Sequence, residues 1–279
     1  MKLNGNGVMI AGLAAMAVLI FEPTAALAEV KYKDKNITIV IPYGPGGTYD
    51  KYGQTFARHL ERHIPGKPTV VVQHMPGAGG LKAMNWSYNV MPRGGYNMIV
   101  PLDNSVVNQL MRPEKARYDA SQFNWLGSSN QTNIVMVIRS DSGVKTWKDM
   151  KKIAVLGATS GKGSTGYIMP MLVKALFGAK IKMVTGYKGS SRSIFAIEQG
   201  ESQMAAFNWL AWSSKVPQWF KGDKPFARAI LQMGVFKDPD LPASVPMVST
   251  LVTDAMDRKA VEFIQVLGLL GRGLALPPG

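Results

Sequence analysis

The chain has 279 residues, 46% hydrophobic and 18% charged, with 29 Gly and 17 Pro, a balance that fits a globular protein and excludes disorder, collagen and coiled coil. It contains no Cys, which removes disulfides, thiolate zinc sites and a cysteine nucleophile together. Lys plus Arg number 32 against 18 Asp plus Glu, a formal net charge of +14 that favours an anionic partner: nucleic acid, a membrane surface or an acidic small molecule.

Residues 1–28 read as a secretory signal peptide. Lys2 supplies positive charge, residues 8–21 are all apolar or Gly, and Ala26-Leu27-Ala28 is a small-x-small cleavage site before Glu29. As a helix the apolar stretch rises only about 21 Å, short of a hydrocarbon core of about 30 Å, so a retained anchor is the weaker alternative. The mature protein is expected to be exported, which argues against intracellular DNA or RNA as the anion.

Ile37-Thr38-Ile39-Val40-Ile41 is β-branched throughout and predicts a strand buried on both faces. It runs through Tyr43-Gly44-Pro45-Gly46-Gly47-Thr48-Tyr49-Asp50 into a helix ending near His63 at Pro65-Gly66. A strand over residues 69–73, a second glycine loop at Met75-Pro76-Gly77-Ala78-Gly79-Gly80, a helix over 81–90 and a strand over 96–101 follow. Strands alternating with helices predict right-handed crossovers and a mainly parallel sheet. A second series starts at Ile134-Val135-Met136-Val137-Ile138, with strands over 152–156, 181–184, 203–207 and 226–231 and helices over 166–177 and 190–199. Residues 209–220 are aromatic-rich and predict a short helix broken at Pro217. Ala260, Val261, Ile264, Leu267 and Leu270 recur at helical spacing, so an amphipathic helix is expected there, its apolar face covered by the first lobe. A strand over 273–276 precedes Pro277-Pro278-Gly279.

Three glycine loops, over residues 44–50, 77–80 and 157–166, stand between a strand and a helix. First-turn N–H groups lack internal partners and the helix dipole is positive there, so backbone alone can hold an anion at the carboxyl edge of a parallel sheet. Gly161-Lys162-Gly163-Ser164-Thr165-Gly166 also fits G-x-G-x-x-G, and a secreted nucleotide-dependent oxidoreductase is the alternative function that follows. Thr185-Gly186-Tyr187-Lys188 stands where the ribose-binding acid should be, which counts against it. His59 and His63 have zinc-like spacing, with His74 as a third, but they flank an apolar helix stripe and read better as partly exposed helix residues. No G-x-S-x-G elbow occurs, so nothing points to a catalytic residue, a metal or a cofactor. A basic surface-binding protein using the net charge is a third candidate.

The segment Ile39-Val40-Ile41-Pro42-Tyr43-Gly44-Pro45-Gly46-Gly47-Thr48-Tyr49-Asp50 resembles the first strand and loop of the substrate-binding receptors of tripartite tricarboxylate transporters, the Bug-type receptors. Residues 70–80 resemble their second loop, residues 92–96 their Pro-x-Gly-Tyr turn, and residues 160–167 and Tyr187-Lys188-Gly189 two loops of their second domain, all in family order. The resemblance implies a periplasmic two-lobe clamshell, α/β in each lobe and not an enzyme. It would be a monomer that binds no nucleic acid, closes on a small carboxylate (a di- or tricarboxylate or an aromatic acid) and presents it to a membrane permease. Carried over by position, Tyr43, Gly44, Pro45, Gly46, Gly47, Thr48 and Asp50 would hold the carboxylate through main-chain N–H groups and water, with Ala78 and Gly79 beside them. Thr159, Ser160, Gly161, Lys162, Gly163, Ser164 and Thr165 would close from the other lobe, with Tyr187 and Asn208. The family often has His at Tyr167 and Asp at Asn208, and losing that carboxylate favours a plain carboxylic acid over an amino acid. Lobe one is expected over residues 29–127 and 233–279 and lobe two over 128–232. The family continues past such a Pro-Pro-Gly, so the last closing elements are expected to be missing.

Overall fold

The computed structural model describes residues 31–279, so the signal segment and its Ala26-Leu27-Ala28 site lie outside the described residues. Within it, Ile37, Ile39, Val40 and Ile41 are wholly buried, because both faces of β1 (Asn36–Ile41) are covered, as its β-branched composition requires. β1 pairs in parallel with β2 (Thr69–His74) and β3 (Asn97–Ile99), setting Ile39 against Val72 and Met98. β10 (Gly273–Leu276) lies antiparallel between β3 and β4 (Asn124–Ser128), completing the order β2-β1-β3-β10-β4. α1 (Thr48–His63) packs on β1 and β2, and α2 (Leu81–Asn89) and α3 (Ser105–Met111) follow the next two strands of the series.

The second sheet joins β5 (Ile134–Arg139), β6 (Val155–Thr159), β7 (Ile181–Thr185), β8 (Met204–Asn208) and β9 (Ala227–Met233) in the order β7-β6-β8-β5-β9. Here β5 is reversed, as β10 is in the first sheet, so in each sheet the reversed strand is the one that follows a crossing of the chain between lobes. The remaining strands run one way, which is the mainly parallel two-lobe α/β architecture expected from the sequence. α4 (Thr165–Phe177), α5 (Ser190–Glu198) and α6 (Trp209–Ser213) belong to this lobe. Trp212 is fully buried behind the sheet and donates its indole N–H to the Val135 carbonyl at 3.2 Å, so the tryptophan cluster is core.

Three local differences from the sequence expectations have plain causes. The sequence pattern predicts neither β4 nor α3: Asn124-Trp125-Leu126-Gly127-Ser128 has no β-branched residue, and β4 pairs only with β10. β6 starts at Val155, because a 3-10 turn over Trp147–Lys151, fixed by a capping box between Thr146 and Asp149, occupies the preceding residues. The helix at the chain's end, α7 (Ala255–Gln265), covers the second lobe instead of the first. Its Val261 and Ile264, with Leu267, Val248 and Val252, join Met136, Ile138, Met169 and Ile230 in one core. The return to the first lobe is therefore made by β10 and its approach, well after Met233. An apolar stripe tells that a face is buried, about 1.5–3 kcal/mol for each full aliphatic side chain, without telling against which sheet.

Candidate functional site

α1, α4 and α5 begin at Gly47, Ser164 and Gly189, and none of these N-cap residues gives its helix a side-chain hydrogen bond. Most first-turn N–H groups of the three helices are thus left for another acceptor, the exceptions being the Thr48 N–H, which reaches Ser190 Oγ, and the Tyr167 N–H, which reaches the Ser164 carbonyl. All three starts line one cavity of about 40 Å³ between the lobes: Gly47, Thr48 and Tyr49 on one side, Ser164, Thr165, Gly166, Gly189 and Ser190 on the other. Tyr43, Ser160, Phe207, Asn208 and Arg272 complete the lining.

Arg272 is the one charged residue of that lining. Its Nη1 donates to Asp103 Oδ2 at 2.7 Å and to the Gly271 carbonyl at 3.0 Å, and its guanidinium lies 4.0 Å from the centre of the Tyr49 ring. Burial alone would disfavour the cation, but Tyr49 and the Asp103 carboxylate hold its pKa above the ordinary arginine value. Burial pushes the phenols of Tyr43 and Tyr49 well above the usual tyrosine range, so both are neutral at neutral pH. Tyr43 donates its hydroxyl to the Gly79 carbonyl at 3.0 Å, and the Tyr49 oxygen accepts from the Asp103 N–H at 2.9 Å.

Thr48 Oγ1, Asn208 Nδ2 and Arg272 Nε are buried without a hydrogen-bond partner. The two nitrogens can only donate and the hydroxyl can, so the unmet demand is for an acceptor. Each orphan costs about 1–3 kcal/mol, which a carboxylate accepting from it would recover. Three helix starts add their positive ends, each worth about 0.3–1 kcal/mol to an anion and up to ~2 when partly buried.

The lobes meet around the cavity largely through backbone. Gly44 N–H donates to the Lys188 carbonyl at 2.7 Å, Ser191 Oγ to the Gly46 carbonyl at 2.6 Å, and Thr48 N–H to Ser190 Oγ at 3.4 Å. Asn104 and Asn108 both donate Nδ2 to the Gly163 carbonyl at 2.8 Å. A Cβ on Gly79 would lie 2.7 Å from Ser164 N, and one on Gly161 would lie 2.7 Å from Gly79 N. With φ of +70° and +154°, these two glycines also hold conformations that L side chains disfavour.

Of the residues expected at the site, the structure brings Tyr43, Gly47, Thr48, Ser160, Ser164, Thr165 and Asn208 to the cavity. It places the others elsewhere, and each has another task or position. Gly44, Gly46, Ala78, Gly79, Gly161 and Gly163 form the contact between lobes, and Pro45 is exposed at its edge. Asp50 braces the first loop: Oδ2 accepts from Gly46 N–H at 2.7 Å and Oδ1 pairs with His74 Nε2 at 2.8 Å. Thr159 Oγ1 sits 2.8 Å from Ser164 Oγ, behind the second-lobe loop. Tyr187 reaches Glu201 at 3.3 Å, and Lys162 lines an outer groove. The Gly161 to Gly166 run does open a helix, as a dinucleotide turn would, but Ala78, Gly79 and Leu81 of the other lobe fill its outer side. His59 and His63 stack on each other on α1, their ring centres 6.3 Å apart. Among the described residues no group of three or more His, Asp or Glu is placed to hold a metal.

Sequence reasoning missed Tyr49, Gly166, Gly189, Ser190, Phe207 and, above all, Arg272. The available signal was a lone cation between Gly271 and Gly273 in an otherwise apolar run, a position that a surface residue seldom takes.

No protein-family profile matches the sequence. A UPF0065 protein from the TAR-I ttuE-ttuC' intergenic region of Agrobacterium vitis is 26% identical over 200 residues, covering 69% of this chain and 56% of that protein. The match thus spans little more than half of the relative's length. Among solved structures, the periplasmic binding protein BugD superposes with a TM-score of 0.70 at 17% identity, over 89% of this chain and 78% of BugD. MatC from Rhodopseudomonas palustris, with bound malate, superposes with a TM-score of 0.69 at 18% identity, over 88% and 79% of the two chains. The chain has the fold of BugD and MatC, the two-lobe fold that the resemblance to the Bug-type receptors implies.

Proposed function

We propose that this protein is a periplasmic solute receptor of the tripartite tricarboxylate transporter type. It closes two lobes on a small carboxylate, leaves it chemically unchanged and presents it to a membrane permease. One observation carries the proposal: three helix starts and a buried arginine converge on a cavity between the lobes whose orphaned polar atoms can all donate to an anion. The malate in MatC, on the same fold, supports a carboxylate as the ligand. No helix among the described residues is long and apolar enough to cross a membrane.

Binding follows from charge and closure together. The ligand carboxylate accepts from the first-turn N–H groups of α1 on one lobe and of α4 and α5 on the other, so it is held fully only when the lobes are shut. Arg272, fixed by Asp103 and Tyr49, presents its Nε–H from the first lobe, while Asn208 and Thr48 add donors. Closure also forms the Gly44–Lys188 and Ser191–Gly46 hydrogen bonds, so ligand and lobe contacts reinforce each other.

Titration calorimetry of the purified protein against malate, citrate, benzoate, NAD and heparin tests the proposal. Saturable binding of at least one carboxylate, with none of NAD or heparin, is expected. Binding of NAD with no carboxylate bound would overturn it in favour of the nucleotide-dependent oxidoreductase, and binding of heparin alone in favour of a basic surface-binding protein.

A further inference from the structure

We propose that a second site, separate from the central cavity, lies on the flank of the junction between lobes and takes a medium-chain fatty acid anion. A slot of about 440 Å³ is walled by Met111 at the end of α3 on the first lobe and by Tyr167 and Met171 on α4 and Phe263 on α7 of the second. Its floor is Ile168 and Ile264, both members of the second lobe's core, so the slot opens directly onto that core. Met111 and Phe263 are 51% and 38% exposed, an apolar surface that no other described residue covers. The volume falls within the roughly 300–1,000 Å³ of ordinary small-molecule pockets.

Charge at one end of the slot decides what fits it. Arg112 and Lys162 are the charged residues that line it, and both also line an adjoining groove of about 620 Å³, so they stand where the two meet. Among the described residues neither forms an ion pair, and Arg112 Nη1 is buried with no hydrogen-bond partner. Lys82, Lys115 and Arg117 line the groove as well, with Glu114 as its one carboxylate. A neutral hydrocarbon would fill the slot and leave the Arg112 N–H without an acceptor, whereas a short dianion would meet the cations and leave the slot wet. A carboxylate with an aliphatic tail satisfies both, its head between Arg112 and Lys162 and its tail over Ile168 and Ile264. The central cavity, at about 40 Å³, has no room for such a tail. Because walls of the slot come from both lobes, an occupant also ties them together at a point away from the central ligand.

Calorimetry with hexanoate, octanoate and decanoate, each below its micellar concentration, tests this site on the full mature protein. Affinity should rise roughly fourfold per added methylene, as for a buried tail. Arg112→Gln should weaken octanoate tenfold or more, and Met171→Trp, which fills the slot, should abolish its binding while circular dichroism shows both variants folded. Asn208→Ala, in the central cavity, should leave octanoate affinity unchanged. The proposal is overturned by no saturable octanoate binding, by affinity independent of chain length, or by 1-octanol binding as well as octanoate with Arg112→Gln without effect. Loss of octanoate binding in Asn208→Ala but not in Met171→Trp would overturn it too, since the fatty acid would then sit in the central cavity. Sedimentation showing a dimer that octanoate does not disturb and Met171→Trp disperses would assign the slot to a second copy of the chain instead.

Discussion

Gly44 in the first lobe donates its backbone N–H to the carbonyl of Lys188 in the second at 2.7 Å, and a Cβ at Gly44 would lie 2.8 Å from that same oxygen. The lobes therefore meet here backbone to backbone, with no side chain able to intervene. Gly44→Val should hold them apart without disturbing either core. We expect ligand affinity to fall tenfold or more and small-angle scattering with ligand present to show a larger radius of gyration than wild type, with the melting temperature nearly unchanged. An unchanged affinity would mean that the lobes need not touch at Gly44 to hold ligand.

Arg272 and Asp103 form a buried pair, and its energetics separate structure from binding. Arg272→Ala leaves the Asp103 carboxylate buried and unpaired, a loss of about 3–5 kcal/mol by denaturant unfolding. The double variant Arg272→Met with Asp103→Leu should recover most of that stability, because both charges are gone. Carboxylate affinity should stay low in both. If the double variant binds as wild type does, Arg272 serves packing alone.

Thr48 illustrates a trade between stability and binding. Its hydroxyl is buried with no hydrogen-bond partner among the described residues, so Thr48→Val should stabilise the fold, measured without added ligand, by up to about 1 kcal/mol. The same change should cost about tenfold in carboxylate affinity. Lys162→Ala, outside the central cavity, should leave the affinity within twofold of wild type, measured side by side.

Asp50 gives the first glycine loop a dependence on pH. Partial burial works against its charge, but the Gly46 N–H and His74 hold its carboxyl below the ordinary value of 3.8. A carboxylate with a depressed folded pKa contributes stability that is fully present above its unfolded pKa and is lost as pH falls through the folded one. Unfolding measured from pH 6 to pH 2 should therefore show an acid limb below about pH 4. Asp50→Asn should flatten that limb while leaving the slope above pH 5 alone.

Much of the architecture can be read from residue patterns, since β1 is a β-branched run that stops at Pro42 and β5 opens with five consecutive apolar residues, Ile134-Val135-Met136-Val137-Ile138. β4 cannot, because Asn124-Trp125-Leu126-Gly127-Ser128 is a strand only by virtue of β10, from far along the chain. The helix starts at Gly47, Ser164 and Gly189 can be read as anion sites, but many of the glycines around them serve a contact between lobes that no local pattern announces. Gly79 and Gly161 look like cradle residues in the sequence, whereas in space each is the room the other needs. Arg272 escaped for the opposite reason: its partner Asp103 is 169 residues away, and nothing local marks the pair.

The position of β10 has a consequence for the order of assembly. β4 touches the first sheet only through β10, so as the chain emerges the first lobe holds three paired strands and a detached fourth until residues 273–276 arrive. The second lobe has all five strands by Met233 and the last of its core by Leu267. The lobe that is synthesised first is thus completed last, by a pairing of very long sequence separation, the slowest kind to form. Until then Ile99 and Trp125 face a gap one strand wide, an open edge on each side, and it is in this interval that the chain is most exposed to mispairing with another copy of itself.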